Sequence, residues 1–478
     1  MTIATVATVL IVAASVFAIL GVLYSRRHVG TLEDYITARG TLGSAGGAAT
    51  VVATGLGAWI LFGPAEAATW GGIAAVLGYA IGAGGVCFAF IPLGRRMREV
   101  MPQGHSLTEY LWHRFGRMIY VVTLVAMLFY MCVFLTAELT AMAGVVALIA
   151  DVPLWVTAAV VMAATLAYTL YGGLRASIFT DAVQLVIILP ILLTCLVAGW
   201  IAVGGASTTL AGLAERAPQL ADVTFRIGAE GGLALVLGVI LANLFHQGYW
   251  QRVFAARDNG TLARGFMTAG VVSGLVVLAM GLFGLAYVAM GKEGAGSTAV
   301  FAILFDTLPV WMMLVVMVAG LALVMSSADT ILNAISSIIV VDMGRAFPDF
   351  DSTRLLSSAR WMILAASVPI VIVAAQGYSV LYLFLIADLV CAALAFPVFF
   401  GLYSSRYDGT GAIVSIVAGL VAGATLFPDP TLATGSLFGA FALAFAVPIA
   451  VSLGFVAMRR GVAFEFSVLR TKVELIGD

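Results

Sequence analysis

Long apolar stretches separated by short polar breaks run along almost the whole chain. An α-helix needs about 20 mostly apolar residues to cross the hydrocarbon core of a bilayer, and the stretches are near or above that length. The first stretch has neither a basic start nor a small-residue cleavage site, which favours a retained helix over a removable signal. The pattern predicts thirteen membrane-spanning helices, at 2–24, 42–70, 71–94, 118–149, 153–171, 176–203, 232–251, 265–290, 310–342, 358–376, 378–403, 410–428 and 434–458.

Composition supports an integral membrane protein of all-α architecture. Of the 478 residues, 62% are hydrophobic and only 10% are charged, which is far from the composition of soluble domains. The longest polar break, about 204–231, and the tail after Arg460 are too short to bury a core of their own. Four cysteines lie singly in apolar runs, so we expect buried thiols and no disulfide framework. They are Cys87, Cys132, Cys195 and Cys391.

The distribution of basic residues predicts the orientation of the chain. With the N-terminus outside, 20 of the 23 Lys and Arg residues fall on the cytoplasmic side, and only Arg216, Arg226 and Lys292 lie outside. This asymmetry follows the positive-inside rule. We therefore expect a multi-pass protein of a bacterial-type inner (plasma) membrane, with an external N-terminus and a cytoplasmic C-terminus.

The predicted helix 310–342 carries a polar stripe that is unusual in a membrane. Positions 326, 329, 330, 333 and 337 share one helix face, which presents hydroxyl, carboxylate and amide groups. An alternative interpretation is that the serines only form hydrogen bonds between neighbouring helices, as polar residues do in membrane bundles. Such hydrogen bonds do not require a carboxylate, however, and an ionisable residue such as Asp329 inside a membrane marks an ion or solute pathway.

Other predicted helices carry breaks or acids. Helix 42–70 contains Gly55, Gly57, Gly63 and Pro64, and a break there exposes backbone carbonyl groups that transporters use to bind cations. Acidic residues follow at Glu66, in helix 118–149 at Glu138, in helix 176–203 at Asp181 and in helix 378–403 at Asp388. Pairing with Arg175 at the membrane surface is an alternative role for Asp181, and Asp388 has no evident role.

Polar and aromatic side chains cluster at the end of helix 232–251. Asn243, His246, Gln247, Tyr249 and Trp250 together suit a small polar solute, which rings cover and amides bind at its edges. A competing interpretation makes the aromatic pair an ordinary interfacial belt, and that belt accounts for Arg252.

Three sequence blocks make the chain resemble the sodium:solute symporter family. They are YGGLRASIFTDAVQ at 171–184, YWQRVFAARD at 249–258 and VMSSADTILNAISSIIVVD at 324–342. The resemblance implies a leucine-transporter-type fold of two inverted five-helix repeats with broken helices. Residues 42–203 are expected to form the first repeat and 232–403 the second. Helix 2–24 and helices 410–458 are expected to be peripheral, within one transporter domain that covers 1–478.

The resemblance also implies a sodium site. Its ligands are expected to be the carbonyl groups of Ala53, Leu56 and Leu323 and the hydroxyl groups of Ser326 and Ser327, uncharged oxygens that suit a monovalent ion that must leave again. Some relatives hold a second cation, for which Asp181, Asp329 and Thr330 are the candidates here. The acid at position 329 departs from the small hydroxyl residue expected there, so a proton is an alternative occupant.

By position, the solute pocket of the family would be bounded by residues of three predicted helices, namely Trp59, Glu66, Glu138, His246, Gln247 and Trp250. Two buried acids and an amide without a buried basic partner argue against an anionic substrate. We expect sodium-coupled import of a small polar, nitrogenous solute, such as an amino acid, urea or an amine.

Three other functions are open to such a chain. A proton-coupled symporter keeps the fold, and a passive facilitator or channel needs a continuous pore instead of a closed midplane site. A membrane sensor needs a signalling domain that this sequence lacks. An enzyme is disfavoured, with no catalytic residues expected, because the four histidines, His28, His105, His113 and His246, do not pair on one helix to bind haem or a metal. We expect sodium as the coupling ion and no organic cofactor. The expected partners are the solute and the lipid bilayer, and neither nucleic acid nor ATP is expected to bind.

Overall fold

The computed structural model describes residues 2–28, 35–36, 38–292, 296–307, 309–347, 349–432, 434–458 and 463–473. In these ranges the chain is helical, and an isolated bridge pairs Leu42 with Ala256. The α-helices are α1 Ile3–His28, α2 Ser44–Gly55, α3 Gly63–Val100, α4 Leu107–Phe115, α5 Arg117–Ile149, α6 Leu154–Ala202, α7 Gly205–Arg216, α8 Arg226–Asn243, α9 Gln247–Ala255, α10 Asn259–Ala289, α11 Ala299–Thr307, α12 Val310–Ala346, α13 Ser352–Ala374, α14 Val380–Phe400, α15 Gly409–Ala424, α16 Leu437–Met458 and α17 Ser467–Lys472.

Each of the thirteen predicted ranges contains a helix, although the number that crosses a membrane stays a prediction. Within the described residues, ten helices are long and apolar enough to span a bilayer, or eleven if one bent pair counts as a single span. Helix α15 is shorter than this limit. The side chains of His28 and Cys195 lie outside the described part, whereas Cys87, Cys132 and Cys391 are free thiols.

Two long helices bend at glycines. Gly72 in α3 has φ 63° and Gly173 in α6 has φ 54°, a backbone conformation that L side chains rarely adopt. Each bend falls next to a predicted boundary, between 70 and 71 in one case and between 171 and 176 in the other. The bends therefore divide continuous helices into the shorter segments that the hydropathy pattern predicts.

Two further helices are interrupted. Between α2 and α3 the chain leaves the helical conformation at Leu56 and Gly57, makes a 3-10 turn over Ala58–Leu61 and resumes at Gly63. Between α8 and α9 the helix is interrupted over 244–246. Glycine and proline in the sequence predict the first break, but the second was expected to be a continuous helix.

Close helix packing forms the centre of the molecule. Helix α3 packs against α8 and α10, while α12 packs against α5 and α6. Glycines allow the closest approaches, because a Cβ on Gly78 would overlap the backbone of Gly232 and one on Gly84 would meet the Gly270 carbonyl at 2.8 Å. Large apolar side chains such as Val186, Leu275 and Trp361 remain exposed, as expected of a surface that faces lipid.

Candidate functional site

The break between α2 and α3 leaves backbone carbonyl groups without helical partners. Helix α2 ends at Gly55, and Leu56 (φ −96°, ψ 81°) and Gly57 (φ −88°, ψ −179°) are not helical. The carbonyl groups of the last turn, including that of Ala53, therefore cannot all accept a bond from the following turn. The predicted sodium ligands Ala53 and Leu56 both lie at this break.

The serine pair faces the break from α12, which is continuous through this region. Ser326 and Ser327 are each 1% exposed, and Leu323 is buried one turn earlier. The Ser327 hydroxyl has no hydrogen-bond partner among the described residues. A buried hydroxyl group without a hydrogen-bond partner is unfavourable in free energy. Its oxygen is therefore available as a ligand for a bound cation.

Gly57 marks the point where the break, α12 and α5 converge. A Cβ at this position would lie 2.7 Å from the Ser327 hydroxyl oxygen and would overlap Oε1 of Glu138. The Glu138 carboxylate, which was expected to line the solute pocket, therefore lies beside the predicted sodium ligands instead. Hydroxyl, carbonyl and carboxylate oxygens suit a hard cation.

Asp181 connects four helices and is completely buried. It accepts hydrogen bonds from Thr50 of α2 at 2.7 Å and from Ser326 of α12 at 2.6 Å. Arg252 of α9 donates to the same carboxylate at 3.1 Å. Arg252, and not a surface residue, is thus its ionic partner. The side chain of Arg175, the alternative partner considered above, lies outside the described part of the structure.

Arg252 corrects one expectation. Its side chain is completely buried, so the interpretation that it belongs to an interfacial belt is wrong. The guanidinium also donates to Thr330 at 3.0 Å, to Thr50 at 3.2 Å and to the Gly248 carbonyl at 3.3 Å. Its position two residues after Trp250 in the sequence gives no sign of this burial.

Asp329 of α12 is also completely buried, but its hydrogen-bond partners differ from those of Asp181. It accepts hydrogen bonds from Tyr168 at 2.7 Å, Ser177 at 2.6 Å and Thr180 at 2.9 Å, all of α6. The three predicted residues of a second cation site, Asp181, Asp329 and Thr330, are thereby brought together. The positive charge that the structure places among them is the Arg252 guanidinium.

A cavity lies beside the break, and six of its lining side chains are aromatic. Trp59, which was expected to bind solute, lines it and stacks on Tyr79 with ring centres 5.5 Å apart. Among the described residues that line it there is no Lys, Arg or His side chain. The cavity-lining residues are Gly55, Trp59, Tyr79, Ala83, Val86, Tyr130, Phe134, Val239, Asn243, Tyr249, Ser273, Phe384 and Asp388.

The other predicted solute residues do not line this cavity. Gln247 uses both ends of its amide on the backbone of 105–107, and the Trp250 indole donates to the Leu244 carbonyl at 2.8 Å. His246 accepts from the Gly248 N–H and so caps α9. Glu66 accepts from Ser379 at 3.1 Å. The side chains of Glu66, His246, Gln247 and Trp250, which were expected to contact the solute, therefore form hydrogen bonds within the protein instead.

The sequence missed most of the cavity wall. The rings that it missed, Tyr79, Tyr130, Phe134 and Phe384, come from α3, α5 and α14, where isolated aromatic residues in apolar runs look like ordinary core positions. Asp388 was noted as a buried acid, but its role depends on which rings surround it. The clustered polar residues at the end of α8 did point to Asn243 and Tyr249, and both line the cavity.

Comparison with known proteins places this arrangement in a family. The sequence profile of the sodium:solute symporter family matches residues 35–419. The chain belongs to the sodium:solute symporter family. Spermidine transporter DUR31 of Candida albicans is 25% identical to it, over 92% of this chain and 87% of that protein. The sodium/glucose cotransporter of Vibrio parahaemolyticus is 23% identical, over 53% of this chain and 54% of that protein.

Solved structures share the fold. A Na⁺-coupled sialic acid symporter in its substrate-bound, outward-open state matches with a TM-score of 0.75 at 18% identity, over 95% of this chain and 97% of that chain. MhsT in complex with L-phenylalanine matches with a TM-score of 0.53 at 15% identity, over 87% and 98% of the two chains. The predicted all-α transporter fold and the resemblance to the family are confirmed. This symporter is sodium-coupled and is a transporter, not an enzyme.

Proposed function

We propose that this symporter imports a small nitrogenous solute by alternating access, driven by a sodium ion bound where the α2–α3 break meets the serine pair. The observation that carries the proposal is the unsatisfied Ser327 hydroxyl, which faces the break through Gly57. The ligands would be the carbonyl groups of Ala53, Leu56 and Leu323 and the hydroxyl groups of Ser326 and Ser327.

Sodium at this position would act by holding two elements together. The carbonyl ligands belong to the first broken helix and the hydroxyl ligands to α12, so the ion bridges elements that separate when the site opens. Trp59 follows the break directly and lines the cavity, so fixing the break also fixes one wall of the solute site. Sodium and solute then raise each other's affinity by the same factor, as linkage requires.

The chemistry of the cavity supports a nitrogenous solute. The described residues of the cavity wall offer one carboxylate, one amide, three tyrosine hydroxyl groups and one serine hydroxyl group but no basic side chain, so an anionic solute would find no counter-charge there. The similarity to the spermidine transporter of Candida albicans points the same way, although that relative is distant. Amines, amino acids and urea are the candidates.

We further propose that Arg252 acts as a tethered cation in the place considered for a second sodium. Its guanidinium contacts Asp181 and Thr330, two of the three residues proposed for that site. With the charge supplied by the chain, one sodium ion would accompany each solute. The alternatives are a second sodium at Asp181, Asp329 and Thr330, or a proton carried by one of the two acids.

Uptake into proteoliposomes tests the coupling ion. Solute accumulation is measured under an inward sodium gradient, an inward proton gradient or neither, and the ratio of sodium to solute flux gives the stoichiometry. We expect accumulation with sodium only, at one ion per solute. Accumulation driven by protons, or equilibration without accumulation under every gradient, would favour the proton-coupled symporter or the passive facilitator.

The variant Ser327→Ala tests the site itself. Removing one oxygen ligand worth about 1.4 kcal/mol raises the sodium concentration for half-maximal uptake by roughly tenfold. Ser337→Ala is the matched control, because Ser337 is equally buried on the same helix and its hydroxyl also has no hydrogen-bond partner among the described residues. Equal effects of the two substitutions would argue against a sodium site at the serine pair.

We also propose a location in a bacterial-type inner membrane, with the N-terminus outside and the C-terminus in the cytoplasm. The support is the distribution of basic residues described above. In this arrangement 42–203 and 232–403 form the inverted halves, with 2–24 and 410–458 at the periphery.

A further inference from the structure

Asp388 is the one acidic side chain among the residues that wall the aromatic cavity. It lies on α14, two turns before a proline at position 397, and is only 4% exposed. No hydrogen bond or ion pair joins its carboxylate to another side chain within the described ranges of the chain. A carboxylate that is buried and unpaired is expensive in a membrane protein and marks a functional site.

Aromatic rings surround the space in front of this carboxylate. Trp59 stacks on Tyr79 and meets Phe384 edge to face at 6.4 Å, and Phe384 in turn meets Phe134 at 4.9 Å. Tyr130 contacts Phe134 with ring centres 6.0 Å apart. Ring faces of this kind attract organic cations, and the attraction is strongest where water is excluded.

Hydrogen-bond acceptors complete the lining. Asn243 uses its amide N–H on the Val239 carbonyl, which leaves its oxygen for another donor. Ser273 has no hydrogen-bond partner among the described residues, and a Cβ on Gly55 would lie 3.4 Å from its hydroxyl oxygen and 2.9 Å from that of Tyr249. These groups suit a ligand that carries N–H donors.

A bare metal ion fits this place poorly. Within the described residues, no group of three or more acidic, histidine or cysteine side chains could hold one. Ring faces also cannot replace the oxygen shell that a hard cation requires. The occupant must instead combine positive charge with apolar surface.

We infer that Asp388 and the rings around it form the recognition site for a protonated amine, with the ammonium group on the carboxylate and the carbon chain between the rings. The inference rests on the proposed function, which it narrows from nitrogenous solutes to organic cations. A neutral solute such as urea leaves the carboxylate without a counter-charge, and a quaternary ammonium ion leaves the acceptors of Asn243 and Ser273 unused.

Direct binding to the purified, full-length protein in detergent tests the inference. The probes are labelled putrescine, labelled choline and labelled urea, each titrated with and without sodium. We expect putrescine to bind most tightly and urea least tightly. In Asp388→Asn, which keeps the side-chain volume, the dissociation constant for putrescine is expected to rise about tenfold to hundredfold, because a hydrogen-bonded charge is lost.

Two further variants separate charge from folding. Asp388→Glu keeps the carboxylate and should retain most of the putrescine affinity. Asp342→Asn removes a partly buried carboxylate that pairs with Arg345 outside the cavity, and should leave putrescine affinity unchanged. Trp59→Leu removes one ring and should weaken putrescine binding by several-fold, in line with the loss of one cation–π contact.

The outcomes distinguish this inference from the proposed function. Unchanged putrescine affinity in Asp388→Asn, or tighter binding of urea than of putrescine, would overturn the amine site. Sodium-driven uptake of urea in proteoliposomes, insensitive to Asp388→Asn, would leave the nitrogenous symporter intact while refuting the inference. Amine binding that depends on Asp388, together with an absence of sodium-driven uptake of any probe, would support the site and contradict sodium coupling.

Discussion

The ion pair of Arg252 and Asp181 has no access to water on either side. Burying two charges costs several kcal/mol for each ion unless further hydrogen bonds satisfy them. Here Thr50 and Ser326 donate to the carboxylate, while the guanidinium donates to Thr330 and to a backbone carbonyl. The pair is therefore tolerated only as a complete network.

Replacing Arg252 by Met tests this dependence. Removal of one partner of a buried ion pair leaves an uncompensated charge and costs about 3–5 kcal/mol. We expect Arg252→Met to lower the thermal unfolding midpoint of the detergent-solubilised protein strongly. The exposed arginine of the Arg226–Glu230 pair gives the matched control, and Arg226→Met should change the midpoint little.

A double substitution supplies the decisive comparison. Asp181→Asn combined with Arg252→Met removes both charges, so the double variant should unfold at a higher temperature than Arg252→Met alone. An additive result, in which the second substitution destabilises further, would show that the two charges do not stabilise each other.

The sequence identified some of these residues because their chemistry is unusual in a membrane. Ser326, Ser327 and Asp181 interrupt apolar runs, and an acid or a serine pair there has few ordinary explanations. Arg252 gave no such signal, because a basic residue beside aromatic residues is typical of a membrane interface. Only the tertiary contacts reveal that it points inward.

The two broken helices are the elements that differ most from continuous spans. At the first break, Gly57 brings its backbone against α5 and α12 because it has no side chain. At the second, the side chain of His246 caps α9 and replaces a helical bond. The first break is encoded by residues that disrupt helices, whereas the second depends on a cap whose sequence signal is weak.

Gly57→Ala tests the close approach at the first break. The added methyl group would overlap the Glu138 carboxylate and press on Ser327, and overpacking of this kind costs about 1–3 kcal/mol. We expect sodium-dependent uptake to fall about tenfold or more, with a smaller change in the amount of folded protein. Uptake assays and size-exclusion profiles measure the two quantities separately.

Gly46→Ala, in the helix α2 that precedes the break, is the control. A Cβ at Gly46 meets nothing within 4 Å, so this substitution should leave uptake unchanged. Normal uptake by Gly57→Ala would mean that the break has room for a side chain and that the contact with Ser327 is not tight.

At the scale of the whole molecule, hydropathy predicted where the helices lie and basic residues predicted their orientation. The number of spans is harder to obtain from the sequence, because bends at Gly72 and Gly173 join two predicted spans into one continuous helix. Which helices approach each other was available only through the family resemblance, since contacts such as those of α3 with α10 join distant parts of the chain.

Single cysteines in loops test the orientation. In a background without the native cysteines, Asp222→Cys is expected to react with an impermeant maleimide on intact cells. Arg257→Cys should react only after the membrane is permeabilised. Both positions are exposed in the structure, so the difference reports sidedness and not burial. The reverse labelling pattern would invert the proposed topology.

The burial of the Arg252–Asp181 pair also has an evolutionary consequence. Any lineage that changes one of the two residues first must pass through a protein that holds an unpaired buried charge. Descendants that survive this step are those that alter both positions within a short interval or place a mobile cation in the vacated space. We therefore expect homologous chains to vary at positions 181 and 252 together, and those without a basic residue at 252 to need an additional ion for transport.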